Sequence, residues 1–198
     1  MECCGAACQP EPEALWTRLE AAVADCRGCR LAQTRRHTAF GEGNRAAQVL
    51  LVGEGPGREE DLQGRPFVGP AGRLLDRMLA AVGLDRETVY IANVVKCRPP
   101  GNRNPEPDEA AACLPYLRAQ YALLRPEIVV CLGAVAARYL CDPGIRITRD
   151  RGRWREKGGV WFLPTYHPAA LLRDESKKRE AWLDLQALAA KIKELEIQ

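Results

Sequence analysis

The chain has no apolar stretch long enough to cross a bilayer. Its longest runs, such as Val49 to Val52 and Ile128 to Leu132, are strand-sized, against the roughly 20 residues of a spanning helix. A membrane-spanning helix is excluded. The opening Met1-Glu2-Cys3-Cys4-Gly5 lacks the basic and apolar regions of a secretory leader, so a cytoplasmic protein is expected. Charge of one sign is also scarce: 29 Lys and Arg face 26 Asp and Glu, a net +3. Total charge therefore announces no nucleic-acid partner. There are no internal repeats, and no glycine loop ends in the Gly-Lys-Ser or Gly-Lys-Thr of a nucleotide-phosphate site.

What remains is ordinary globular material, 46% hydrophobic and 28% charged over 198 residues, which fits one compact domain. That domain is expected over residues 13–198. Residues 1–12, with Gln9-Pro10-Glu11-Pro12 and the thiols of Cys3, Cys4 and Cys8, are too polar and Pro-rich to fold alone.

Cysteine is the residue in excess. Nine in a chain without a leader argue for metal ligation plus free thiols rather than disulfides. Cys26 and Cys29 form a C-x-x-C, and Cys97 and Cys113 follow with 15 residues between them. Spacing alone fits a structural zinc ion. Cys131, inside an apolar run, reads as a small core residue.

Apolar runs at Gln48–Gly53, Val89–Val95, Glu127–Leu132 and Val160–Thr165 predict four strands. Helical patterns separate them: one opening near Pro12, one from Pro70, one over Pro107–Leu124 with a kink at Pro115, and one over Gly133–Leu140. A closing helix is striped by Trp182, Leu185, Leu188, Ala189, Ile192 and Leu195. Continuously apolar strands alternating with helices imply an α/β fold, a three-layer α/β/α sandwich around a four-stranded parallel sheet. Ligands of such sheets bind beyond the carboxyl ends of the strands. Three unusual segments fall there: Gly53 to Gly69, Asn93 to Asn104, and Tyr166-His167-Pro168.

Three of these motifs, Gly53-Glu54-Gly55-Pro56-Gly57 with Gly64-Arg65-Pro66-Phe67-Val68-Gly69-Pro70, Asn93-Val94-Val95-Lys96-Cys97-Arg98-Pro99-Pro100-Gly101-Asn102-Arg103-Asn104-Pro105, and His167-Pro168-Ala169, join the four cysteines in one order. Together they resemble the family 4 uracil-DNA glycosylases, the iron-sulfur branch of that superfamily, over about Cys26 to Leu172. The resemblance implies an enzyme that flips uracil out of DNA and hydrolyses its N-glycosidic bond. It also implies a 4Fe-4S cluster on Cys26, Cys29, Cys97 and Cys113. Glu54 and Gly55 match the first active-site motif, Glu60 the residue beside the pyrimidine C5 edge, Phe67 the stacking aromatic, Asn93 the uracil-reading amide, and His167 the histidine of the last motif. Gly55 stands where the better-known branch carries aspartate, and Ala169 where related sequences often carry serine. The resemblance therefore assigns no aspartate to activate water.

The chemistry of these residue types agrees. An amide offers the donor and acceptor that uracil O4 and N3–H require, an aromatic ring offers a stacking face, and an imidazole N–H can stabilise charge on O2 of the departing base. Structural roles are available too: Phe67 as a loop plug, Asn93 as a turn former, His167 as a strand cap, and Glu59-Glu60-Asp61 as the acidic first turn of a helix. Six basic residues lie between Arg146 and Lys157. Of these Arg151, Arg153 and Arg155 are assigned to DNA phosphates, although solvated surface also accounts for them. The expected partner is uracil-containing DNA, single- or double-stranded, bound by a monomer; nothing assigns or excludes a sliding clamp. The rival readings are a non-catalytic DNA-binding module and a glycosylase for other damaged bases.

Overall fold

The computed structural model describes residues 11–197; the tail thiols Cys3, Cys4 and Cys8 lie outside them. The sheet has six strands in the order β1-β3-β2-β4-β6-β5: β1 (Glu42–Gly43), β2 (Val49–Gly53), β3 (Tyr90–Asn93), β4 (Ile128–Leu132), β5 (Arg155–Lys157) and β6 (Val160–Thr165). Strands β3, β2, β4 and β6 pair in parallel, while β1 and β5 run antiparallel on the two edges. The α/β class thus holds, but the sheet is mixed and larger than the four parallel strands expected. The added strands are two and three residues long, too short and polar to register as period or apolar run.

Side chains alternate between two cores, as a pleated strand requires. Leu50, Val52, Ala92, Val129 and Cys131 face Trp16, Val23, Ala110 and Leu117 of α1 (Pro12–Ala24) and α4 (Pro107–Leu124). Val49, Leu51, Ile91, Val130 and Leu163 face Leu75, Leu79, Leu171, Leu185 and Leu188 of α3 (Pro70–Ala80), α7 (Pro168–Arg173) and α8 (Lys178–Glu194). Each fully buried aliphatic side chain contributes about 1.5–3 kcal/mol, so helices on both faces are what make the continuous apolar strands stable. Three further short helices are α2 (Arg58–Gln63), α5 (Ala134–Leu140) and α6 (Ile147–Asp150).

Two expectations need amending. Trp182 belongs to the exposed side of α8, 40% accessible, while Ala181, Leu185 and Leu188 make its inner face. Strand β3 stops at Asn93, but the amides of Val94 and Val95 still donate to Gly53 O and Glu54 O at 2.9 and 3.1 Å. The loop after β3 is therefore stitched to the end of β2. The chain leaves β2 toward α3 on one face and β3 toward α4 on the other, which opens a crevice at their carboxyl ends. No helix among the described residues is long and apolar enough to cross a membrane.

Candidate active site

A cavity of about 510 Å³ occupies that crevice, lined by Glu54, Glu60, Phe67, Asn93, Arg103 and His167 among others. Its floor depends on a glycine. A Cβ on Gly53 would stand 2.5 Å from both Asn93 Oδ1 and Phe67 Cζ, so the two side chains meet over the strand end only because position 53 has none. Gly55 is equally constrained, since its Cβ would lie 2.7 Å from Val95 Cγ2. Any side chain there would have to move the Val95 methyl, the backbone of that loop being 3.9 Å away.

Asn93 is 1% accessible, and its Oδ1 is a buried polar side-chain atom with no hydrogen-bond partner among the described residues. Such an orphan costs about 1–3 kcal/mol, a cost that a bound donor removes. Its backbone oxygen is held from below by buried Lys96, whose Nζ donates to it at 3.0 Å and to Gln120 Oε1 at 2.6 Å. Burial lowers the Lys96 pKa to about 8.

His167 precedes α7 and caps it: Nδ1 accepts from the Ala169 amide at 3.1 Å. The cap is on a helix rather than a strand, and it decides the tautomer. With Nδ1 accepting, the neutral ring carries its proton on Nε2. Burial, followed by the nearby Arg173 charge, pushes the His167 pKa down to about 4. Phe67 stacks on this imidazole with ring centroids 5.5 Å apart and planes at 26°. A base sandwiched between two rings needs roughly 7 Å, twice the 3.5 Å carbon contact, so a base enters beside this pair rather than between its members.

Burial raises the Glu54 pKa, and Arg173 opposes the rise. Glu60 lines the cavity, yet its oxygens are taken by the amides of Gly57, Val68 and Gly69 at 3.1, 2.9 and 2.8 Å. It begins α2 with Glu59 and Asp61, as the acidic-first-turn reading expected, and clasps residues 57–69 into one loop.

The pattern of the Uracil DNA glycosylase superfamily matches residues 40–186. The chain is 48% identical over 160 residues to the type-4 uracil-DNA glycosylase of Thermotoga maritima, covering 79% of this chain and 82% of that one. The chain belongs to the type-4 uracil-DNA glycosylase family. It is also 43% identical over 176 residues to the type-4 enzyme of Archaeoglobus fulgidus, covering 84% and 87% of the two chains. The type-5 uracil-DNA glycosylase of Pyrobaculum aerophilum is more distant, at 31% over 146 residues and 65% and 64% of the chains.

In this type-4 chain Cys26 and Cys29 follow α1, Cys97 lies on the loop after β3 and Cys113 in α4, and Cys29 is near enough to act on both Cys97 and Cys113. The Cys97 thiol is pushed up by burial and by the fields of Cys29 and Cys26, and that of Cys113 to about 11 by burial with Cys97 and Cys29 adding. Donors already point at three of the sulfurs: Gly28 N to Cys26 at 3.4 Å, Arg35 Nη1 to Cys97 at 3.2 Å and Lys96 N to Cys113 at 3.2 Å. Among the described residues no group of His, Cys, Asp or Glu is gathered tightly enough to hold a single metal ion. Cys131 is fully buried, as expected of a core residue, and its Sγ faces that of Cys141 at 3.5 Å, apart from these four.

The basic residues around the cavity are not those picked from the sequence. Arg151 turns inward, donating to Asp184 Oδ2 at 2.8 Å, and its side chain is 16% accessible. Arg155 pairs with Asp142 at 3.0 Å, and its strand runs back along β6 away from the carboxyl end, leaving exposed Arg153 as the only one of the three without such a partner among the described residues. Arg58, Arg103 and Arg173 line the cavity instead. Arg58 and Arg103 stand apart from the basic clusters of the sequence, where a search for charge clusters passes over them, whereas Arg173 opens the basic run Arg173, Lys177, Lys178, Arg179.

Proposed function

We propose that this chain is a DNA repair glycosylase that takes uracil flipped out of single- or double-stranded DNA, hydrolyses its N-glycosidic bond and leaves an abasic site. The unpaired Oδ1 of Asn93, buried at the cavity floor, is the observation that carries this reading within a family named for the activity. Oδ1 accepts from uracil N3–H while Nδ2 donates to O4, and cytosine reverses both demands. Phe67 supplies an aromatic face to the base, Gly55 a close backbone approach, and Glu60 holds the loop that carries Phe67. Breaking the N1–C1′ bond sends its electron pair onto the base and leaves a cationic sugar. The Nε2–H of neutral His167 faces the charge growing on O2, and the Glu54 carboxylate stabilises the sugar cation until water adds to C1′.

The thiols of Cys26, Cys29, Cys97 and Cys113 hold a 4Fe-4S cluster in this proposal. Cys29 acts on both Cys97 and Cys113, and Cys26 on Cys97; with three of the four sulfurs receiving N–H donors, the set supports a polythiolate site. Held by these thiols, a cluster would supply architecture, tying the end of α1 to the loop after β3 and to α4. One domain over residues 13–198 acts as a cytoplasmic monomer, and the exposed arginines meet phosphate.

An oligonucleotide with a single uracil, treated with the purified protein and then alkali, should break at that position, while its thymine counterpart stays whole. Cleavage of neither strand, by protein containing iron and sulfide, would sink the catalytic reading in favour of a DNA-binding module. Zinc without iron in anaerobically purified protein would overturn the cluster.

A further inference from the structure

Phe67 is held in a backbone conformation that a bulky residue seldom adopts, with φ at +54°, and it is the only aromatic at positive φ among the described residues. Its peptide lies against α3 at Gly72, where an added Cβ would come within 1.7 Å of Phe67 O. Glu60 accepts from the amides that follow the turn, and a side chain from beyond α3 takes its carbonyls: Arg86 donates through Nη1 to Pro66 O at 3.1 Å and through Nη2 to Phe67 O. The guanidinium is itself aimed by two acids, with Nε on Asp76 Oδ1 at 2.8 Å and Nη1 3.4 Å from Glu42 Oε2. Arg86 does not line the cavity.

We infer that Arg86 is a positioning residue for uracil excision: it locks the left-handed turn at Phe67 and so presets the ring against His167 before a base arrives. The inference rests on the reading of Phe67 as the base-stacking residue. Only a planar fork with several donors can hold two successive carbonyls and face two carboxylates at once, which an ammonium on a flexible stem does not reproduce. Fixing the ring beforehand removes an ordering step from each encounter with a flipped base. Because Arg86 reaches the base only through Phe67, its effect must vanish when the ring is gone.

The test is a double-mutant cycle on Arg86 and Phe67, read as single-turnover excision from a saturating uracil oligonucleotide. Arg86→Met should slow excision about tenfold, the rate equivalent of one hydrogen bond to a charged group, while DNA affinity stays as in the unmodified protein. Arg86→Lys should recover little of the loss, and added guanidinium ion should restore part of it in Arg86→Ala. In a Phe67→Ala background Arg86→Met should cost nothing further. Equal losses in both backgrounds, or unimpaired excision by Arg86→Met where Phe67→Ala is impaired, overturns the inference. If the unmodified protein releases no uracil, the functional reading has failed, and hydrogen exchange still decides the clamp. Arg86→Met should speed exchange of the Val68 and Gly69 amides, and unchanged exchange overturns it.

Discussion

Arg103 grips Glu109 at two points, Nη1 on Oε2 at 2.8 Å and Nη2 on Oε1 at 2.6 Å. Arg30, the residue after Cys29, donates to the same carboxylate at 2.8 Å. One buried acid at the start of α4 thus ties a cavity-lining arginine to the cysteine loop, and it also caps α4 by accepting from Glu106 N at 2.8 Å. The Arg103 hydrogen bond first, with the Glu106 amide and Arg30 in support, holds the Glu109 pKa down at about 2.

Replacing this carboxylate should therefore cost stability in a pH-dependent way. Glu109→Gln should lose roughly 1.5–3 kcal/mol at pH 7, the worth of hydrogen bonds to a charged group, measured by urea unfolding. A lowered native pKa means the contribution is complete above the unfolded value near 4.5 and is lost as pH falls toward 2. The gap between the unmodified protein and Glu109→Gln should accordingly narrow from pH 5 to pH 3. A constant gap would mean that the charge is not what Arg103 and Arg30 hold.

His167 gives the opposite chemistry the same sign. Its native pKa of about 4 lies below the unfolded imidazole's, so its neutral form adds stability that is complete above roughly pH 6.5 and disappears as pH falls toward 4. His167→Gln should flatten the acid side of the stability profile over that interval. Excision by the unmodified protein should show no titration near 6.5, because the ring stays neutral there. Removing the donor should slow excision about 10²–10³-fold. An inflection near 6.5 that vanished in His167→Gln would show an imidazolium at work instead.

The central strands were legible because a strand buried on both faces is apolar throughout, as in Ile128–Leu132. The candidate site was legible by position, since Glu54, Asn93 and His167 stand at or just past the carboxyl ends of strands on one side of the sheet. The structural roles of these residues do not use up their chemistry: His167 caps a helix through Nδ1 and so keeps its proton on Nε2, and Glu60 opens a helix while clasping the Phe67 loop. Interactions between distant residues escaped. Arg30 meets Glu109 across 79 residues and Arg86 meets Phe67 across 19, and neither separation is a period that any local pattern repeats. Arg151 misled because a cluster of arginines looks alike whether its members face water or, as here, Asp184.

DNA binding separates those arginines. Arg173 is exposed at the cavity rim, and its charge reaches both Glu54 and His167. Arg173→Gln should weaken binding to any DNA sequence and lower the slope of log affinity against log salt by about 1. Arg155→Gln, which only frees Asp142 at the sheet edge, should leave both unchanged. Filter-binding titrations at several salt concentrations read the two slopes, and identical slopes for Arg173→Gln and the unmodified protein would remove Arg173 from the interface.

Asn93 offers the most specific outcome, because its Oδ1 has no hydrogen-bond partner among the described residues. Uracil presents a donor at N3 and an acceptor at O4, whereas cytosine presents an acceptor at N3 and a donor at N4, so one fixed amide cannot satisfy both. Each mismatched polar group in a closed pocket costs about 1–3 kcal/mol. Asn93→Asp keeps the shape that fits over Gly53 but replaces the amide donor with a second oxygen. Its carboxylate accepts from cytosine N4, donates to N3 when protonated, and repels uracil O4. Asn93→Asp should lose most uracil excision and gain weak cytosine excision, strongest in unpaired or mismatched positions where extruding the base costs least. Asn93→Ala should lose the first without gaining the second. Oligonucleotides carrying each base in turn read all three proteins, and full uracil activity in Asn93→Asp would mean that the orphaned oxygen is not the group that reads the base.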